Sequence, residues 1–164
     1  TDKDGKYYAV GLHTENNYKR FNLQSSVIHY QYDAKNPDGV NSDMTLMGAN
    51  GLTPAYFIAS EGTVTSLNLA YTLPVRDFGK LKAIRFYNDY SYLDKARNNW
   101  SDSQMNTTGM MFIASPFMVW ADYTWGKNSN IIGGSTNATG FTTATSENSD
   151  KWLYRINLNL GFTF

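Results

Sequence analysis

The closing fourteen residues, K-W-L-Y-R-I-N-L-N-L-G-F-T-F from Lys151, limit what this chain can fold into more than any other stretch. Every even position is apolar or aromatic: Trp152, Tyr154, Ile156, Leu158, Leu160, Phe162 and Phe164. The odd positions are Lys151, Leu153, Arg155, Asn157, Asn159, Gly161 and Thr163, of which only Leu153 is a large apolar residue. Successive side chains of a strand point to opposite faces, so this segment has one apolar and one wet face. The apolar face is ordered along its length, with aromatics at both ends and aliphatics between. That order fits a strand crossing a bilayer, whose two interfaces favour aromatic rings. A half-buried strand of a soluble sandwich also alternates, but it usually runs about five or six residues. It has no reason to grade its apolar face from aromatic to aliphatic and back.

The terminal aromatic, Phe164, resembles the C-terminal signal by which bacterial outer-membrane β-barrels are recognised for assembly. Mean hydropathy is -0.46, and nothing approaches the roughly 18 apolar residues of a membrane helix. The longest apolar stretch, 110–121, is broken by Ser115-Pro116. A transmembrane barrel escapes this test because half of each strand faces a polar interior. Aromatics at 15% and charged residues at only 17% suit interfacial girdles and a polar, mostly uncharged lumen, and would equally suit a Tyr-rich sandwich.

Other classes are excluded or weakened. The chain has no cysteine, which removes disulfides, thiolate metal sites and cysteine nucleophiles. Fourteen basic residues balance fourteen acidic ones, so nothing points to nucleic acid, and two isolated histidines make a poor metal site. No cofactor is expected. His13 with Glu15, or His29 with Asp33, would interest a barrel hydrolase, but no serine sits in a nucleophile setting and alternation explains both histidines. No enzyme is expected. The chain begins at Thr1 without Met or a signal peptide, so it is expected to be a processed or excised product.

The whole chain, 1–164, reads as one all-β domain without helix. The spacing predicts strands over 5–15, 22–33, 63–73, 80–92, 103–114, 117–126 and 151–164, with a polar turn at 16–20. In the second strand the apolar phase switches midway, which predicts a bulge. Short candidates over 43–49 and 55–60 flank Asn50-Gly51 and read either as strands or as an inward-folded loop. External loops are expected near 35–41, 95–102 and 127–150. Short connections at 74–79 and Ser115-Pro116 alternate with them, as in outer-membrane barrels. The count is nine strands, or seven if 42–63 is a loop. Both are odd, whereas bacterial single-chain barrels are even, so the chain is expected to be the C-terminal portion of a larger barrel. The alternative is a small eight-stranded barrel.

Three stretches carry a resemblance: Phe86-Tyr-Asn-Asp-Tyr-Ser-Tyr-Leu-Asp-Lys95; Asp102-Ser-Gln-Met-Asn-Thr-Thr-Gly109 with Ser115-Pro-Phe-Met-Val-Trp-Ala-Asp-Tyr-Thr-Trp-Gly-Lys-Asn128; and the closing strand. Over roughly the last half of the chain these resemble the C-terminal part of the phosphate-selective porin O/P-type family of Gram-negative bacteria. The resemblance implies an antiparallel transmembrane β-barrel, a trimeric 16-stranded pore in the bacterial outer membrane. It also implies contact with outer-membrane lipid and with the barrel assembly machinery through the closing strand. One departure matters: anion-selective members line the channel with many Lys and Arg, and this chain has no basic excess.

Alternation makes Arg85, Asp89, Asp122, Arg155, Asn157 and Asn159 the pore-lining candidates. The arginines would bind anions or set a transverse field, or they would pair with Asp89 and Asp122 to brace the wall. Tyr90, Tyr92, Tyr123, Trp125, Trp152, Tyr154, Phe162 and Phe164 are the candidate membrane girdle; a sugar-stacking platform is the competing reading. The expectation is therefore a porin passing small hydrophilic solutes or ions. A small closed barrel with an anchor or adhesin role, and a soluble β-sandwich binding module, are the alternatives. Small inward side chains such as Ser66, Asn68, Ala70, Thr72 and Gly161 speak against a packed barrel interior.

Overall fold

In the computed structural model the described residues are 5–33, 43–47, 56–76, 78–96, 100–129, 132 and 151–162. They form nine strands and no helix: β1 (Lys6–Tyr18), β2 (Phe21–Asp33), β3 (Met44–Met47), β4 (Tyr56–Ala59), β5 (Glu61–Pro74), β6 (Ala83–Lys95), β7 (Ser103–Ala114), β8 (Phe117–Lys127) and β9 (Leu153–Phe162). Seven of them make one antiparallel sheet in the order β1-β2-β5-β6-β7-β8-β9. Every neighbour is joined to the next in sequence, apart from the β3-β4 excursion. The sheet is open, with β1 and β9 as its free edges. A closed barrel of eight strands is thus not what these residues form.

Some strands, β1, β2, β5 and β8, run longer than the sequence pattern predicts, because polar residues join them where one face is wet, whereas β6 is shifted by three residues, β7 matches and β9 starts later. Asn16 and Asn17 belong to β1, and the predicted polar turn shrinks to Lys19-Arg20, with Lys19 at φ 55. The β5-β6 turn uses Gly79 at φ 56, a backbone state glycine adopts without strain. The predicted bulge in β2 is absent. Its pairing with β1 is continuous from Phe21↔Tyr18 to Asp33↔Lys6. The phase switch arises because Ile28, Tyr30 and Tyr32 sit on the polar side of the sheet, where Tyr32 stacks on Tyr7 at 5.9 Å and meets Tyr30 at 5.7 Å.

The open question over 42–63 has a definite answer in the described part. β3 and β4 pair only with each other, as a separate two-stranded sheet. At four residues each they are far short of the roughly nine to eleven needed to cross a bilayer. The hairpin is tied to the main sheet at its base: Tyr32 N–H donates to Ser60 O at 2.7 Å, and Ser60 N–H donates to Asp43 O at 2.8 Å. The predicted loop at 35–41 lies outside the described residues, as does most of 127–150 and the middle of 95–102.

The two faces of the sheet are protected in the wrong order for a water-soluble fold. One face carries Tyr8, Val10 and Leu12 of β1, Leu67 and Leu69 of β5, Phe86 of β6, Met110 of β7, Phe117 and Tyr123 of β8, and Tyr154, Ile156, Leu158 and Leu160 of β9. All are exposed, Ile156 by 76% and Leu158 by 73%. Among the large exposed apolar side chains described, only Tyr7, Ile28, Leu153 and the turn residue Phe78 stand elsewhere. The opposite, polar face is the crowded one: Asn22, Ala70, Lys95, Ser103 and Thr124 on it are buried. Burying a Leu or Ile side chain is worth about 1.5–3 kcal/mol, so this sheet forgoes in water the main stabilisation a soluble sheet collects. The exposed surface is also continuous over seven strands, where soluble monomers rarely show more than a few hundred Å².

Candidate functional site

Register brings the polar side chains of all seven strands into line. Asn17, Asn22, Ala70, Tyr87, Gly109, Asp122 and Asn157 are successive cross-strand partners from β1 to β9. Two residues along, the same holds for Glu15, Gln24, Asn68, Asp89, Thr107, Thr124 and Arg155. On the other side of the first row come Thr72, Arg85, Met111, Trp120 and Asn159. The six residues singled out by alternation, Arg85, Asp89, Asp122, Arg155, Asn157 and Asn159, therefore stand on one face within three consecutive rows, forming a polar belt.

Among the described residues the belt is knit by hydrogen bonds between side chains, not by ion pairs. Asn22 is a hub: its amide N–H groups donate to Glu15 Oε1 at 2.7 Å and to Asn17 Oδ1 at 2.8 Å. Its own Oδ1 accepts from Gln24 Nε2 at 3.2 Å and from Arg85 Nη2 at 3.1 Å. Asn68 donates to Asp89. Asp122 accepts from the Tyr87 hydroxyl and from Asn157 Nδ2, the latter at 3.3 Å. Thr107 and Thr124 share a hydroxyl bond of 2.9 Å, and Ser26 and Ser66 one of 2.7 Å. The predicted bracing of the wall by Arg–Asp pairs does not form. Amide and phenol donors already occupy both aspartates, Arg85 reaches across to β2 instead, and Arg155 has no partner among the described residues.

Two glycines make the crowding possible. A Cβ on Gly109 would lie 2.5 Å from Asp122 Oδ1 and 2.6 Å from the Tyr87 hydroxyl. The empty position on β7 lets Tyr87 of β6 reach over it to Asp122 of β8. Gly161 likewise takes the Trp120 ring, which a Cβ there would meet at 2.7 Å. Sequence alternation puts Tyr87 on the wet face but gives no hint of the bridge, because only the register places Gly109 between donor and acceptor. The hub role of Asn22, and the bond to Asp89 from Asn68, which alternation places on the inward face, are missed for the same reason.

The opposite face holds the girdle candidates. Tyr123 stacks on Tyr154 at 5.6 Å and touches Trp125 at 5.4 Å, and Lys127 Nζ lies 5.8 Å from the Trp152 ring centre. Tyr90 and Tyr92 stand on the same face of β6. At the other end of β8 and β9, Phe117 meets Phe162 at 5.3 Å. Val119, Ala121, Leu158 and Leu160 fill the interval between the two aromatic groups. Phe164 lies outside the described residues. Of the two histidines, His13 is on the polar face, while His29 is on the apolar face, 3.2 Å from Thr63 Oγ1 and 3.4 Å from the Tyr8 hydroxyl. No group of three or more metal-ligating side chains occurs among the described residues. No protein-family model, curated protein or solved structure matches this chain.

Proposed function

We propose that this chain forms part of the wall of an outer-membrane β-barrel porin, a passive channel for small hydrophilic solutes or ions. The observation that carries this reading is the inverted sheet, with its apolar face exposed on every strand and its polar face crowded and hydrogen-bonded. Lipid on the first face and water on the second satisfy both. From Phe162 to Trp152, the residue just before β9, the apolar side covers ten residue steps. That is about 34 Å along the strand and, at a tilt near 45°, about 24 Å of depth, close to the apolar band of such barrels. Lys127, Lys151 and the β3-β4 hairpin then lie toward the outer surface, and the short turns toward the periplasm.

In this reading the two open edges are covered by further strands of the same barrel, since an unpaired edge does not persist in hydrocarbon. Outer-membrane lipid, the barrel assembly machinery acting on the closing strand, and two further copies in a homotrimer are the partners it entails. The phosphate-selective porin O/P-type family is the source of the last two. The belt's mixed charges give no support to phosphate selectivity. A closed anchor barrel is the weaker reading, because the seven described strands form an open sheet with β1 and β9 as free edges.

The test is single-channel conductance, in a planar bilayer, of the detergent-purified barrel that includes this chain and the strands covering its edges. Stable steps of porin size are expected. A folded, membrane-inserted sample that gives no steps refutes the channel reading for this chain.

A further inference from the structure

At the centre of the polar face Asp89 borders a cavity of about 260 Å³ whose polar walls include Gln24, Ser66, Asn68, Ser91 and Thr107, with His13 on the β1 side. Part of the donor capacity of this cup is used within the protein. Asn68 gives its amide to Asp89, Gln24 gives its amide to Asn22 at 3.2 Å, and the Ser66 hydroxyl is engaged with Ser26 at 2.7 Å. Its charge is concentrated on the open acceptor it presents, the second oxygen of Asp89, which receives nothing from the described residues. The carboxylate is hydrogen-bonded but not neutralised. Arg155 is in the same row three strands away, and Arg85 is four residues earlier on β6 and turned to Asn22. Those separations are about 14 Å and about 13 Å along the sheet, beyond ion-pair range and longer than the Debye length at physiological salt.

We propose that this cup attracts small cations, whose N–H groups or bound water engage its open carboxylate oxygen, with Asp89 as their transient partner. The proposal rests on the polar face being the wall of a water-filled channel and gives that channel a local preference opposite to that of an anion-selective pore. A donor-poor anion gains nothing from the remaining acceptors and meets an unscreened carboxylate.

The chain contains no cysteine, so Ser66→Cys places a single thiol in the cup. The probes are a trimethylammonium-bearing and a sulfonate-bearing methanethiosulfonate, each rate divided by its rate with a free small thiol. In the membrane-inserted protein the cationic reagent is expected to react roughly fivefold faster, the order set by one unit charge a few ångströms away in water, attracting one sign and repelling the other. Adding Asp89→Asn brings the ratio to about one. If that variant fails to fold, a salt titration replaces it: the ratio of S66C collapses as the Debye length falls from about 30 Å at 0.01 M to about 3 Å at 1 M. A ratio at or below one, or one indifferent to both D89N and salt, overturns the proposal. Failure of either reagent to modify S66C in the membrane, with full reactivity in denaturant, overturns it differently, by showing that the polar face is not wet.

Discussion

Replacing Gly109 by alanine tests whether the belt is held by the bridge that passes over β7. The added Cβ cannot coexist with the Tyr87–Asp122 hydrogen bond, since it would lie 2.5 Å from the carboxylate oxygen and 2.6 Å from the phenol oxygen. Both acceptor and donor must withdraw. A hydrogen bond to a charged group contributes about 1.5–3 kcal/mol. Alanine recovers about 0.5–1 kcal/mol of backbone entropy relative to glycine. Gly109→Ala should therefore destabilise the protein by about 1–2 kcal/mol, read as the shift of the urea midpoint at unchanged slope in lipid vesicles. Tyr87→Phe removes the donor without a clash and leaves Asp122 with Asn157 at 3.3 Å. Because both changes break the same bond, their effects must not add. The double variant should cost at least about 1 kcal/mol less than the sum, well outside the roughly 0.3–0.5 kcal/mol scatter of independent sites. Additive costs, or a neutral Gly109→Ala, would refute the bridge.

The remaining expectations concern the two faces. Leu158→Arg, on a side chain exposed by 73%, should cost about 2–4 kcal/mol in lipid if it faces the bilayer midplane; equilibrium unfolding from vesicles measures it, and no loss there means the face is not in lipid. Tryptophan quenching separates the faces without any change in charge. In single-tryptophan variants Trp152 should be quenched by brominated lipid, whereas Trp120, over Gly161 on the polar side, should respond to aqueous iodide instead; the reverse pattern would place water on the wrong face.

Alternation made the strands and their faces legible before any coordinates. In β8, Phe117 to Trp125 and Met118 to Thr124 divide between the faces as their order requires, and all six polar candidates lie on one side. The signal was strong because a wet face and an apolar face repel each other's residues at every second position. It failed where that contrast disappears. At the β3–β4 end the polar side itself turns aromatic, with Tyr7, Tyr30 and Tyr32, so a change of environment looked like a slipped register. Short apolar runs at Met44–Met47 and Tyr56–Ala59 carry too few positions to tell a spanning strand from a hairpin that pairs with itself. The site was legible as a set of residues but not as a network. Which donor meets which carboxylate depends on register two and three strands away, and that is why Arg85 goes to Asn22 and Tyr87 crosses a glycine to reach Asp122.

The seating of Tyr87 over Gly109 and of Trp120 over Gly161 has a consequence for how such a sequence can drift. If the exposed apolar side faces lipid, as proposed, a side chain there need only be greasy, because a liquid neighbour adapts to any shape. On the polar side each ring fits a particular gap, and a single methyl group closes it. In that setting freedom and constraint are exchanged relative to a water-soluble domain, where the oily interior is the exacting part. Relatives of this chain would keep their hydrophilic lining in register long after their oily positions had been shuffled beyond recognition.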